Sequence, residues 1–179
     1  MLTAENTCLV IVDIQEKLLG VMANPEQVVK NTAVLIQIAK ALDIPIFWCQ
    51  QVPKALGPTV EELTSLLDGV EPIDKSTFSC CREEAFMKKI DGLEPQTAIL
   101  CGIESHVCVF QTAMDLIQHG LYVQVVSDAT SSRTEENKAI GINRMAKEGA
   151  VITSTEMLLF ELLRDAKHPK FRELAKLIK

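Results

Sequence analysis

The stretch Leu100-Cys-Gly-Ile-Glu-Ser-His-Val-Cys-Val-Phe-Gln-Thr-Ala-Met-Asp-Leu-Ile-Gln-His-Gly120 decides how this chain folds. Residues 97–101 form a short apolar run that reads as a buried strand. Gly102 breaks it. Residues 107–119 fit a helix with Val109, Ala113, Leu116 and Ile117 on one face, stopped by Gly120. Cys108 therefore falls in the first turn of a helix that follows a strand and a tight turn. Unpaired N–H groups and the positive end of the helix dipole gather there. They favour a thiolate, so a lowered Cys108 pKa is expected. They also suit an oxyanion. A cysteine in such a place can equally be a small core hydrophobe.

Working outward, the same strand-then-helix unit recurs. Residues 7–13 are apolar and partly β-branched, the pattern of a strand covered on both faces, and they end in Asp13. A helix is predicted over 25–42, with Asn24 as N-cap and Pro25 at N1. Residues 44–49 read as a second strand and 50–58 as a loop. Thr59-Val-Glu-Glu62 has the capping-box spacing before a short helix. An extended piece over 72–75 ends in Lys75. A helix over 80–90 precedes the opening stretch, and strands over 121–126 and 150–153 follow it. Between them lie the polar loop 127–133 and a helix starting at Thr134 and ending near Lys147. Two further helices are read over 155–164 and 169–178. Alternating strands and helices without a linker or repeat predict one α/β domain over 1–179, with a parallel sheet between helical layers. Asp13, Lys75 and Cys108 then fall near carboxyl ends of strands, where open α/β sheets place their ligands.

Composition narrows the function. At 47% apolar and 23% charged, the chain matches an ordinary globular domain. A formal charge of −6 without a basic face argues against nucleic acid and against anionic lipid surfaces. No apolar run is long enough to span a bilayer and no leader pattern opens the chain, so the cytoplasm is the expected compartment. The six cysteines contain no C-x-x-C pair, and the three histidines are scattered, so neither a disulfide framework nor a metal cluster is read. No G-x-G-x-x-G, P-loop or G-x-S-x-G elbow is present, and no cofactor is expected. A nucleophilic thiol needs a base and a cationic neighbour, which Asp13 and Lys75 can supply.

Several segments together carry a resemblance: Ile11-Val-Asp-Ile-Gln15, Lys75 with Phe78 after it, Gly102-Ile-Glu-Ser-His-Val-Cys108-Val, Thr112-Ala113, and Ser127-Asp-Ala-Thr-Ser-Ser132. They stand in the order found in the isochorismatase-like hydrolases, or cysteine hydrolase superfamily, which the chain resembles over most of its length. The likeness extends to the isochorismatase-domain-containing subgroup through the turn at Cys108 and the closing His-Pro-Lys-Phe. It implies a three-layer α/β/α fold with a six-stranded parallel sheet in the order 3-2-1-4-5-6. It also implies a catalytic set of Asp13, Lys75 and Cys108, and a cis peptide joining Ile103 and Glu104. The backbone N–H groups of Glu104 and Cys108 would share an oxyanion hole. Nicotinamidases of the family hold a metal through Asp and His after the second strand. Here Cys49-Gln-Gln-Val-Pro-Lys54 offers neither, so a metal-free site is expected. Presence of Cys108 points to amide rather than vinyl-ether chemistry.

Gln15, Trp48, Phe78 and Asp128 are candidate pocket residues, although core or loop roles suit each. His106 is too close to Cys108 along the turn to serve as its base. The function expected is hydrolysis of a small amide. The alternative is a non-catalytic or redox-responsive interaction protein on the same scaffold, with Cys80-Cys81 as further thiols. A homo-oligomer is expected from the resemblance and from the apolar C-terminal stripe Phe171, Leu174, Leu177 and Ile178.

Overall fold

Strand β1 (Thr7–Val12) is buried at every residue because its alternate side chains feed two cores. Leu9 and Ile11 enter one, while Cys8, Val10 and Val12 enter the other. A computed structural model describes residues 2–178. After β1 come α1 (Glu16–Leu19), α2 (Pro25–Ala41), β2 (Ile46–Gln51), α3 (Pro53–Leu56), α4 (Glu61–Thr64) and β3 (Ile73–Lys75). A 3₁₀ turn (Cys80–Arg82) leads into α5 (Glu84–Leu93) and β4 (Thr97–Ile103). A π-helical turn (Ser105–Val109) then runs into α6 (Phe110–Gln118). Strand β5 (Tyr122–Ser131), α7 (Glu135–Lys147), β6 (Val151–Thr153), α8 (Thr155–Leu163) and α9 (Phe171–Leu174) complete the order.

All six strands pair in parallel, as the alternation implies, in the order β3-β2-β1-β4-β5-β6, as the resemblance implies. Helices α2 and α8 cover one face through Leu35, Ile38, Leu158 and Leu162. Helices α5, α6 and α7 cover the other through Phe86, Ile90, Leu116 and Met145. β4 splits its side chains as β1 does, with Ile99, Cys101 and Ile103 on the first face and Ala98 and Leu100 on the second.

Several local expectations change: the loop read over 50–58 holds the end of β2 and helix α3, because Gln50 and Gln51 keep pairing with β3. The loop read over 127–133 is largely strand, because β5 bulges between the partners of Leu100 and Gly102 and then resumes pairing at Thr130. Its hydroxyls find local acceptors: Ser127 donates to the Thr153 carbonyl and Thr130 to that of Val126. Thr59 does not cap α4. Its hydroxyl instead accepts from Trp48 Nε1 and donates to Gln50, and Val60 stands at the N-cap. Asn24 precedes Pro25 as expected but adopts φ +51° and makes no side-chain cap; its amide donates to Glu135. The helix expected over 80–90 begins as a 3₁₀ turn and continues to Leu93. Finally, only Phe171–Leu174 of the last segment is α-helical. Leu174 is buried, and Phe171, Leu177 and Ile178 pack on the α2–α8 core. The apolar C-terminal stripe therefore packs largely against its own chain, with Phe171, Leu177 and Ile178 left partly exposed, so it gives less support to an oligomer than the sequence alone suggests.

The buried thiols make stability pH-dependent. Burial pushes Cys8 and Cys101 up to about 12, far above the value each takes in the unfolded chain. The folded state therefore holds these protons after the unfolded state has lost them. Such groups contribute stability below the unfolded thiol value, which drains away as pH rises toward the folded one. Urea midpoints, measured under reducing conditions, should fall steadily from pH 9 toward pH 12, and Cys101→Ala should flatten part of that slope. An equal slope in the variant would remove Cys101 from the account.

Candidate active site

Three strand ends place the groups singled out in the sequence. Asp13 follows β1 with φ +54°, a left-handed conformation that aspartate tolerates better than most residues. Its N–H donates to the Cys49 carbonyl at 3.1 Å, tying it to the end of β2. Lys75 is the last residue of β3 and reaches across β2 toward β1. Cys108 sits in the π turn after β4, closed by the Val109 N–H donating to the Glu104 carbonyl at 3.2 Å. The peptide joining Ile103 and Glu104 is cis.

Two glycines let these ends converge. Gly102 has φ +118°, and a Cβ there would collide with the Val12 carbonyl, so β4 lies against the end of β1 only as glycine. Gly141 brings α7 onto the π turn, where a Cβ would stand 2.8 Å from the His106 nitrogen and 2.8 Å from the Ser105 carbonyl carbon. Gly141→Ala should push the turn outward, cost about 1–3 kcal/mol as overpacking, and slow alkylation of Cys108. An unchanged melting temperature and labelling rate would show that α7 does not hold the turn.

The Lys75 ammonium is fully buried and donates to Asp13 Oδ2 at 2.7 Å and to Gln51 Oε1 at 2.7 Å. The Thr77 and Phe78 carbonyls complete its shell at 3.1 Å and 3.2 Å. Asp13 is 0% exposed, and its second oxygen, Oδ1, has no partner in hydrogen-bond geometry. Cys108 is 7% exposed and interacts with that carboxylate. Burial raises the Asp13 pKa, against the charge of Lys75 and its hydrogen bond, and against the Cys108 thiol. Burial opposes the charge on Lys75, but Asp13, Cys80 and Cys108 together hold its pKa above the ordinary value.

The lowered Cys108 pKa expected from the helix start is not what the site provides. Burial and the Asp13 carboxylate both push the thiol up, and Lys75 only partly offsets them. The ammonium's donors are directed at Asp13, Gln51 and two carbonyls, with none recorded toward sulfur. The resting arrangement is thus a neutral thiol beside a carboxylate–ammonium pair. Such a unit can take the thiol proton as the sulfur attacks, without storing a free thiolate.

The other sequence candidates support this cluster or lie away from it. Gln15 is buried and clamps the loop walls: Nε2 donates to the Gln51 and Gly57 carbonyls, and Oε1 accepts from the Gln51 N–H at 2.7 Å. Trp48 belongs to the core under α4. Phe78 contributes its carbonyl to Lys75, while its ring is 53% exposed. Asp128 lies in the β5 bulge, where Oδ1 accepts from the Thr155 N–H at 2.8 Å and hydroxyl at 2.9 Å, fixing the start of α8. The Glu104 carboxylate accepts from Arg133 Nε at 3.1 Å and its backbone N–H at 3.2 Å, so it ties the turn to the exit of β5. His106 pairs with Ser132 and so turns toward β5. Sequence reading missed Gln51, because the apolar run ends at Cys49 and left it in the loop; the register of β2 on β3 is what sets it against Lys75. A hollow of about 380 Å³ lined by Ile90, Gln96, His119 and Tyr122 is at the other end of the sheet, near the starts of β4 and β5. It shares no residue with the cluster.

The residues where family members carry metal ligands do not fit a metal here. Gln50 Oε1 is bonded to Thr59 and Gln51 Oε1 to Lys75. Among the described residues no group of three or more His, Cys, Asp or Glu side chains converges on a metal position.

A family model described as the isochorismatase domain matches residues 7–157. The chain belongs to the isochorismatase domain family. Isochorismatase domain-containing protein 2A of Mus musculus is 40% identical over 176 residues, covering 98% of this chain and 84% of that protein. The Danio rerio isochorismatase domain-containing protein 2 is 38% identical over 177 residues, covering 99% and 89%. Among solved structures of the isochorismatase fold, a Caenorhabditis elegans protein described as MAR1 ribonuclease superposes with a TM-score of 0.94. It is 37% identical and covers 99% of this chain and 91% of that one. The YcaC gene product of Escherichia coli, described as an octameric hydrolase of unknown specificity, gives 0.93 at 25% identity, with 99% and 88% covered.

Proposed function

We propose that this isochorismatase-family protein hydrolyses a carbon–nitrogen bond in a small amide, with Cys108 as nucleophile and no metal. The observation that carries the reading is Asp13: a fully buried carboxylate that binds Lys75 through one oxygen, leaves the other without a hydrogen-bond partner, and interacts with the Cys108 thiol. Asp13 Oδ1 takes the Cys108 proton as sulfur attacks the amide carbonyl. The resulting oxyanion is held by the backbone N–H groups of Glu104 and Cys108. Asp13 returns the proton to the leaving nitrogen, and ammonia or an amine departs. Water, deprotonated by Asp13, then attacks the thioester, releasing a carboxylic acid and restoring the thiol. Lys75 keeps Asp13 anionic between these transfers. The charge of −6 accords with a small substrate rather than a phosphate backbone, so the ribonuclease description of the nematode relative is not carried over.

The test is a screen of small amides and ureas for ammonia or amine release, with an RNA substrate as a parallel arm. Turnover of an amide by wild type only, with RNA intact, is the expected outcome; RNA cleavage dependent on Cys108 would replace the amide reading. The redox alternative has less support, because burial and neighbouring Cys80 push Cys81 up to about 12, which makes it a poor thiolate. A homo-oligomer is also proposed. Its support is the octameric description of the Escherichia coli relative and the exposed apolar residues Tyr122, Val151 and Met157. The compartment proposed is the cytoplasm, where six free cysteines would stay reduced. No helix among the described residues is long and apolar enough to cross a membrane.

A further inference from the structure

We propose that Gln51 is a positioning residue of this site, holding the Lys75 ammonium on Asp13 Oδ2 so that Oδ1 stays open to the Cys108 proton. The inference rests on the reading of Asp13, Lys75 and Cys108 as one unit. Gln51 is held at four points. Its N–H donates to Gln15 Oε1 at 2.7 Å, and its carbonyl accepts from Gln15 Nε2 at 3.0 Å. Its side-chain nitrogen donates to the Ser76 carbonyl at 2.9 Å, which leaves the amide oxygen facing Lys75 at 2.7 Å. The Ser76 carbonyl admits only a donor, so the amide has one orientation.

The geometry around Lys75 shows what this arrangement controls. The two short bonds, to Asp13 Oδ2 and Gln51 Oε1, are equal at 2.7 Å, and the two backbone carbonyls are farther away. Gln51 therefore balances the pull of the carboxylate. Without it, the ammonium has every reason to slide along Asp13 and bridge both oxygens, because charged acceptors make the stronger hydrogen bonds. A bridged carboxylate has both oxygens engaged and is a poorer base for the thiol proton. Gln15 acts one step further out, since it fixes the Gln51 backbone and the Gly57 carbonyl of the facing loop at once. The charged and titratable groups bearing on Cys108 are Asp13 after β1, Lys75 in β3 and Cys80 in the 3₁₀ turn.

The test reads the pH dependence of Cys108 alkylation by iodoacetamide, with Cys108→Ala as background and circular dichroism confirming the fold. Gln51→Met removes the acceptor and keeps the volume. Its profile should move to lower pH by about half a unit or more, because the bridging ammonium screens the carboxylate that raises the thiol, while amide turnover falls as Asp13 becomes the poorer base. Gln51→Glu keeps an acceptor on Lys75 and adds a negative charge, so its profile should move the other way, to higher pH. Lys75→Met distinguishes the two layers of the argument. If Lys75→Met shifts the profile while folded Gln51→Met matches wild type, the role of Gln51 is overturned and the unit stands. If Lys75→Met also leaves the profile unchanged, the unit itself fails. A uniform loss of rate at all pH values in both Gln51 variants would reduce Gln51 to a packing residue and likewise overturn the proposal.

Discussion

Cys108→Ala should eliminate amide turnover, with a fall in kcat/KM on the order of 10⁴-fold or more, as expected when a nucleophile is removed from a set of groups that acts as a unit. The substitution itself is mild for the fold. Cys108 is buried among Val109, Ala113 and Cys80, and alanine removes one sulfur from that cluster. It also removes the thiol that interacts with the Asp13 carboxylate. The melting temperature should stay near wild type while product release vanishes. The measurement is ammonia release from whichever amide the screen finds, followed by mass spectrometry for an acyl adduct on the wild-type thiol. Residual activity within tenfold of wild type would mean that water, activated by Asp13 alone, does the chemistry.

Lys75 and Asp13 should fail together. Lys75→Ala leaves a fully buried carboxylate without its cation, and breaking such a pair from one side typically costs about 3–5 kcal/mol. The same change removes the group that keeps Asp13 anionic, so activity should fall by about 10²–10⁴-fold. Asp13→Asn keeps an acceptor for the Lys75 ammonium but cannot carry a proton, so it should lose as much activity with a smaller loss of stability. Because both act on one proton, the double variant should be little worse than the worse single one. Urea titration and kcat/KM measured on the four proteins complete the cycle. Multiplying losses would show two independent roles and dissolve the unit. Near-wild-type rates in folded Lys75→Ala would leave Cys108 as an isolated thiol.

The amino-acid sequence by itself determined the parallel α/β class, because burial in a parallel sheet is written locally, while the strand order came through the family resemblance. The apolar runs over 7–12 and 97–103 need cover on both faces, and each is followed by a helix able to supply it. Strand alternation then put Asp13, Lys75 and Cys108 at one edge of the sheet, as the structure does. Turns that depend on distant partners were not legible. Thr59 has the spacing of a cap but bonds Gln50 and Trp48, which lie beside it only after folding. Residues 127–131 have loop composition, yet β4 pairs with the far side of the bulge. The apolar stripe near the C-terminus looked like an interface until the α2–α8 layer was seen to pack against it. Only the tertiary structure decided the protonation of the site. A helix start alone favours a thiolate, but burial and the neighbouring Asp13 carboxylate outweigh it. Charge in a low-dielectric interior is set by what stands within a few ångströms, and Asp13, Gln51, Lys75 and Cys108 are neighbours in space although β1, β2, β3 and β4 separate them in sequence.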